Sequence, residues 1–301
     1  MSRATFMGVP PKSDATRGIS RACVLGVPFD CGTHPFRVGS REGPDAIRRQ
    51  SHLLRPFFVD PQGRPTNPID ALGLVDAGNV ECYPGDIERS YPLIERSVGD
   101  LLASGMTPIT MGGDGAVTLP QLRAVKRHHP DLVVLHIDAH TDTYDLDGFN
   151  TATTFTRASE ENLIDERSSF HVGARGTTFM DGVLGFGRSL GYNVVPFSEF
   201  EADPARCIAA IRERIGMRPV YLCFDMDIFD PSCAPGVCTP EWGGLSAKEG
   251  LAVLRALAGM NFVSFDVNTV SPAQDVGDAT AFLAATVLLE CCALAAQTPA
   301  R

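Results

Sequence analysis

The run Val133-Val134-Leu135-His136-Ile137 ends abruptly in Asp138-Ala139-His140-Thr141-Asp142. A short, mostly β-branched apolar run reads as a buried strand. Here it stops in three metal-competent side chains at every second position. A second run, Val220-Tyr221-Leu222-Cys223-Phe224, stops the same way in Asp225 and Asp227. Residues i, i+2 and i+4 of an extended chain face one side. If the backbone stays extended past Ile137 and Phe224, each strand end presents its donors together, and a fold that brings both ends to one place makes a metal site.

The rest of the chain sets these strands in an alternating order. Strands are predicted at Ala22 to Val27, Gly73 to Asp76, Thr107 to Met111, Leu132 to Ile137, Phe170 to Val172, Val194 to Pro196, Val220 to Phe224 and Phe262 to Asp266. Helical patterns fall at Gly43 to Gln50, Ile87 to Ser104, Leu119 to His128, Val183 to Leu190, Pro204 to Ile215, Ala247 to Leu257 and Ala279 to Ala296. Such alternation predicts a mainly parallel α/β sheet covered on both faces, with the site beyond the carboxyl ends of the strands. No linker or repeat divides residues 1–301, so one domain is expected, with residues 1–20, rich in Pro, Gly, Ser and Thr, as a loosely ordered arm.

Hydrophobic residues make up 44% of the 301, enough for a sizeable core. The 36 acidic against 26 basic residues give a net charge of −10, which argues against nucleic acid or an anionic membrane as a partner. No apolar run is read as reaching the ~18 residues that span a bilayer. The nine cysteines are scattered without a CxxC pair and read as thiols of a reducing cytoplasm.

Four carboxylates and one imidazole in a pocket repel. Two unit charges ~4 Å apart cost about 4 kcal/mol at an effective dielectric of 20. Protons or a cation must neutralise them, unless these aspartates cap separate turns. Oxygen-rich ligation with one imidazole suits Mn2+ better than Zn2+, and two ions could share bridging carboxylates. Around this cluster, Gly112-Gly113-Asp114 allows a tight turn with close backbone approach. Asp230-Pro231 begins a rigid loop, and Ser246 with Glu249 forms a capping box. Arg175 is either a pocket residue or a structural ion-pairing one.

These segments resemble the ureohydrolases: arginase, agmatinase, guanidinobutyrase and proclavaminate amidinohydrolase. The matching residues are Gly32-Thr33 to Pro44-Asp45-Ala46-Ile47-Arg48, Asp76-Ala77-Gly78, Gly112-Gly113-Asp114, Asp138-Ala139-His140-Thr141-Asp142, Asp225-Met226-Asp227 with Asp230-Pro231, and Ser271-Pro272. The resemblance implies a three-layer α/β/α fold around an eight-stranded, mostly parallel sheet. It implies a binuclear Mn2+ centre, hydrolysis of a guanidinium C–N bond that releases urea, and a homotrimer or homohexamer; for this chain one or two Mn2+ ions and hydrolysis of an amidine- or guanidino-type C–N bond in a small molecule are expected. Carried over, Asp138 and Asp225 bridge two ions, His140 and Asp227 complete one, and Asp142 binds the other.

Three positions depart from the family pattern. Gly115 stands where the family has a metal-ligating histidine, with His34 a candidate replacement donor. Thr151, beside Asn150, stands where the family has a helping histidine, and a hydroxyl cannot shuttle protons near neutral pH as imidazole does. Thr269 stands where the family has a glutamate that pairs the guanidinium, and threonine cannot supply that charge. Asp142, Thr151 and Thr269 are therefore the candidate catalytic positions, and Asn150, Thr151 and Thr269 the candidate substrate-binding ones. Two readings follow: a hydrolase with a non-standard substrate, or a catalytically silent paralogue that serves as a binding or regulatory subunit.

Overall fold

Eight apolar segments pair into one sheet whose every pairing is parallel. The computed structural model describes residues 4–16, 18–31, 36–59 and 65–298. In chain order the strands are β1 (Ala22–Gly26), β2 (Phe58–Val59), β3 (Pro65–Thr66), β4 (Val75–Asn79), β5 (Thr107–Met111), β6 (Val133–Ile137), β7 (Phe170–Ala174), β8 (Asn193–Pro196), β9 (Val220–Asp225) and β10 (Phe262–Asn268). The helices are α1 (Gly43–Ser51), α2 (Pro68–Leu72), α3 (Ile87–Ala103), α4 (Thr118–His128), α5 (Thr154–Glu160), α6 (Val183–Ser189), α7 (Phe197–Ala202), α8 (Pro204–Ile215), α9 (Ala247–Ala256) and α10 (Ala279–Gln297). The main sheet runs β4-β1-β5-β10-β9-β6-β7-β8, and β2 and β3 form a separate antiparallel pair.

Alternation along each strand feeds two apolar layers. Val133, Leu135 and Ile137 of β6 join the layer covered by α1, α8, α9 and α10, and Val134 joins the one under α3, α4 and α5. The order β5-β10-β9-β6 sets four carboxyl ends in a row. This is what brings the two acidic termini side by side, since Ile137 of β6 pairs with Phe224 of β9.

Two expectations are corrected. Residues 4–16, placed in a loose arm, pack onto the sheet edge: Phe6 and Val9 are buried, and Pro11 bridges to Asp76. The reason is Asp76. Its carboxylate accepts from the Phe6 and Gly78 N–H groups and from Arg48 Nε and Nη2, each at 2.8 Å. The second correction concerns α10, which is long and apolar enough to cross a bilayer by length and composition. It instead lies largely buried, with Leu283, Leu288 and Cys292 in the core layer and Glu290 paired to Arg255.

Arg48 and Asp76 are almost wholly enclosed, so removing one leaves an uncompensated buried charge. Arg48→Met should lower unfolding stability by about 3–5 kcal/mol. Urea denaturation measures it, and a loss well under 1 kcal/mol would show that the pair is not what holds the arm, β4 and α1 together.

Candidate metal centre and its cavity

The acidic strand ends converge, but not by staying extended. After β6 the chain bends at once: the His140 N–H donates back to Asp138 Oδ1 at 2.6 Å, and Asp142 adopts a left-handed conformation (φ 50°). Aspartate tolerates this region better than most residues. After β9 the Asp227 N–H donates to Asp225 Oδ1 at 2.8 Å and starts a single 3-10 turn, Met226–Ile228. Short aspartate turns, not period-two alternation, aim the donors. A buried backbone amide must find an acceptor, and the nearest is the side chain that opens the turn.

Two donor groups result, and Asp138 belongs to both. Asp138, His140 and Asp227 form the first. His140 Nδ1 lies 3.3 Å from Asp138 Oδ1 and 3.1 Å from Asp227 Oδ2, while the Ala139 N–H and the Thr239 hydroxyl each donate to Asp227 at 3.1 Å. Asp138, Asp142 and His136 form the second. Asp225 lies beside both groups with Oδ1 already accepting from Asp227 N–H and from the Thr269 hydroxyl.

His136 was read only as part of an apolar run. It stands two residues before Asp138 in an extended strand, and that spacing is the signal for a shared face. Its Nε2 contacts Asp138 Oδ2 at 2.7 Å, and its Nδ1 meets His171 Nδ1 at 2.8 Å. If Nε2 donates to the carboxylate, His171 must supply the proton between the two Nδ1 atoms. His171 Nε2 is then left buried without a partner, which suits a neutral ring. Burial pushes the His171 pKa well down, with the neighbouring His136 adding to it.

The charges divide in the same way. Burial pushes Asp138 up, but His136 and His140 together hold it well below the usual carboxylate range. Burial opposes a charge on His140, but Asp227 and Asp138 raise it well above the ordinary imidazole value. Burial first, then the charge of Asp138, pushes Asp142 well up. Burial with Asp227 and Asp138 does the same to Asp225, and burial with Asp138 raises Asp227. Asp114 rises to about 6, chiefly by burial, although the N–H groups of Cys31 and Ala116 donate to it. An acid-rich nest that resists its own negative charge is the chemistry of a cation site.

A cavity of about 370 Å3 opens over the cluster, with Asp114, His140, Asp142, Thr151 and Thr269 in its wall. Facing them are Phe36, Arg37, Tyr144, Phe179, Cys238, Thr239 and Glu241, none of which was singled out as a site residue. Arg37 is anchored on the carbonyls of Pro235, Val237 and Cys238, and Glu241 accepts from the Thr177 N–H and hydroxyl. Asn150 is corrected from a substrate contact to a turn residue. It does not line this cavity, and its N–H donates to Thr153 Oγ1 at the start of the turn leading into α5. Arg175 also stands outside the cavity wall and clamps the carbonyls of Asp227, Glu241 and Trp242. His34 lies outside the described residues. The paired glycines act as expected: a Cβ on Gly113 would fall 1.5 Å from the Phe29 carbonyl oxygen. The Ser246 and Glu249 capping box is present.

A family model described as the arginase family matches residues 20–293. The chain belongs to the arginase family. Among curated relatives it is 36% identical to guanidinobutyrase of Pseudomonas aeruginosa over 292 residues, covering 95% of this chain and 90% of that protein. It is 37% identical to guanidinopropionase of the same organism over 302 residues, covering 99% and 93%. Among solved structures, proclavaminate amidinohydrolase from Streptomyces clavuligerus superposes with a TM-score of 0.92 at 35% identity, covering 99% of each chain. Formiminoglutamase of Trypanosoma cruzi, solved with Mn2+, shares the arginase-like fold at 22% identity and a TM-score of 0.85, covering 98% and 99%. The eight-stranded three-layer architecture expected from the resemblance is thus the family's own.

Two outcomes follow for this centre. His136→Phe, which removes the group holding Asp138 from behind, should weaken metal affinity by about 10–100-fold. Calorimetric titration measures it, and unchanged affinity would show that His136 only fills space. The second outcome concerns pH. Asp142, Asp225, Asp227 and His140 all have raised folded-state pKa values, so their contribution to stability is full below the unfolded pKa and is lost as pH rises through the folded one. Asp138 has the opposite sign and is outnumbered. Added Mn2+ should therefore raise Tm more at about pH 7.5 than at about pH 5. Equal shifts at both would place the ion elsewhere.

Proposed function

We propose that this protein hydrolyses a C–N bond in an amidine- or guanidino-type small molecule with the help of Mn2+, and that its substrate differs from arginine and agmatine. One observation carries the reading: Asp138, His140 and Asp227 converge beside a cavity large enough for a small metabolite. Family membership supports the reaction class, and the Mn2+ of the Trypanosoma cruzi relative supports the ion. When bound, the cation supplies Lewis-acid polarisation and an activated water.

The chain's own residues supply the rest. Asp138, His140 and Asp227 hold the cation, with His136 fixing Asp138. Asp142 faces the cavity, and burial, then the charge of Asp138, push its pKa well above the usual carboxylate range, which favours the protonated carboxyl. Tyr144 and Phe179 supply an aromatic part of the cavity wall. Thr151 and Thr269 stand in the cavity wall where the resemblance places an imidazole and a carboxylate, and neither brings a charge there. This difference supports a head other than an ordinary guanidinium. A cytoplasmic homotrimer or homohexamer belongs to the same proposal and rests on the family likeness.

Urea, ammonia and amine release from a panel of guanidino, amidino and formimino compounds tests the reading, with Mn2+ supplied. One compound should turn over, and Asp138→Asn should reduce that turnover by more than about 100-fold, beyond the loss expected for an outer hydrogen-bond partner. Metal binding without turnover of any compound would instead favour the silent, regulatory reading.

A further inference from the structure

We propose that this centre is built for one divalent cation, held by Asp138, His140 and Asp227, and that Thr151 and Thr269 have taken the place of a second. The inference deepens the metal-dependent reading above and rests on it.

The first position is assembled. His140 Nδ1 lies 3.3 Å from Asp138 Oδ1 and 3.1 Å from Asp227 Oδ2, and His140 faces the cavity. The second position is not. Gly115 stands beside Asp142: a Cβ built on it would lie 3.1 Å from Asp142 Oδ2. The same Cβ would lie 2.7 Å from the Thr151 methyl carbon, closer than real Cβ contacts come. The Thr151 side chain therefore fills the volume that a larger residue at position 115 would need. Positions 115 and 151 are thus sterically linked, and where the resemblance places a ligating imidazole at 115 the space is taken by the Thr151 methyl.

The carboxylate that should be shared is also compromised. A bridging aspartate must give an oxygen lone pair to each cation. Asp225 Oδ1 already accepts two hydrogen bonds, from the Asp227 N–H and the Thr269 hydroxyl, so both of its lone pairs are spoken for. Oδ2 is left as its unengaged oxygen, so a cation reached through Oδ1 would first have to displace the Thr269 hydroxyl. Thr269 is held in this pose by a left-handed backbone (φ 66°), strained for a β-branched residue, and by its N–H donating to the Gly113 carbonyl at 2.7 Å. Backbone strain kept at such a point marks a contact the surrounding fold enforces.

His136 does not repair the loss. It is close enough to Asp138 and Asp142 to be grouped with them, yet it is buried within β6 behind Asp138. Both ring nitrogens are committed, one to Asp138 and one to His171.

The test uses the full chain, stripped with a chelator and titrated with Mn2+. Ions are counted by elemental analysis after dialysis, and ions that persist in Asp138→Asn are subtracted as surface binding. Wild type should retain one ion with the six-line electron paramagnetic resonance signal of isolated Mn2+. Gly115→His alone should stay at one, because the Thr151 methyl still blocks the space. Gly115→His with Thr151→Gly and Thr269→Ala should gain a second ion and a broadened, exchange-coupled spectrum. Two ions or none in wild type would overturn the proposal. So would a folded triple variant, checked by circular dichroism, that stays at one. If the triple variant does not fold, the wild-type count and spectrum decide alone. Product release over the compound panel is scored separately. One ion without hydrolysis leaves this inference standing and defeats the proposed reaction; two ions with hydrolysis does the reverse.

Discussion

Buried carboxylates cannot share a pocket without positive charge among them, and the arrangement of this centre follows from that constraint. Asp138 is the pivot. It is enclosed, yet two imidazoles approach it, His136 from the sheet and His140 from the turn, so it is the strand-end acid whose pKa is held below the usual carboxylate range. Asp142, Asp225 and Asp227 are pushed the other way, first by burial and then by neighbouring carboxylates, Asp138 among them. The same asymmetry makes Asp138 the member common to both donor groups and leaves the cluster short of positive charge.

The fold supplies this geometry by means visible in the strands. β5, β10, β9 and β6 lie adjacent and parallel, so their carboxyl ends form one edge, and a turn or loop leaves each end toward the cavity. Gly112 and Gly113 let the chain after β5 pass against Phe29 and Asn268, where side chains would collide with them. Arg175, committed to carbonyls from Asp227 to Trp242, fixes the loop after β9 from beneath and so holds Asp227 and the cavity wall in register.

The eight main strands and seven of the helices were legible because apolar periodicity and turn residues agree along them. Short elements were not. α5 and α7 are brief and rich in threonine, phenylalanine and glutamate, and their helicity comes from packing, as with Phe155 and Phe200 in the core layers. At the site, residue types and spacing revealed the five acidic-strand donors, but not the path of the backbone that aims them. Alternation was the wrong reason for a correct grouping of Asp138 and His140. His136 was hidden among apolar neighbours, and position beside Thr151 does not say whether Asn150 faces the cavity, whose wall does not include it. Gly115, Thr151 and Thr269 were visible as separate departures. Their coupling, a methyl against a missing side chain and a hydroxyl on Asp225, exists only in three dimensions.

The central claim is that this nest of acids exists to hold a divalent cation. Crystals soaked in Mn2+ and measured at the manganese absorption edge test it most directly. The account predicts one anomalous peak within coordination distance of Asp138, His140 and Asp227. No peak there, or a peak confined to the protein surface, would contradict it.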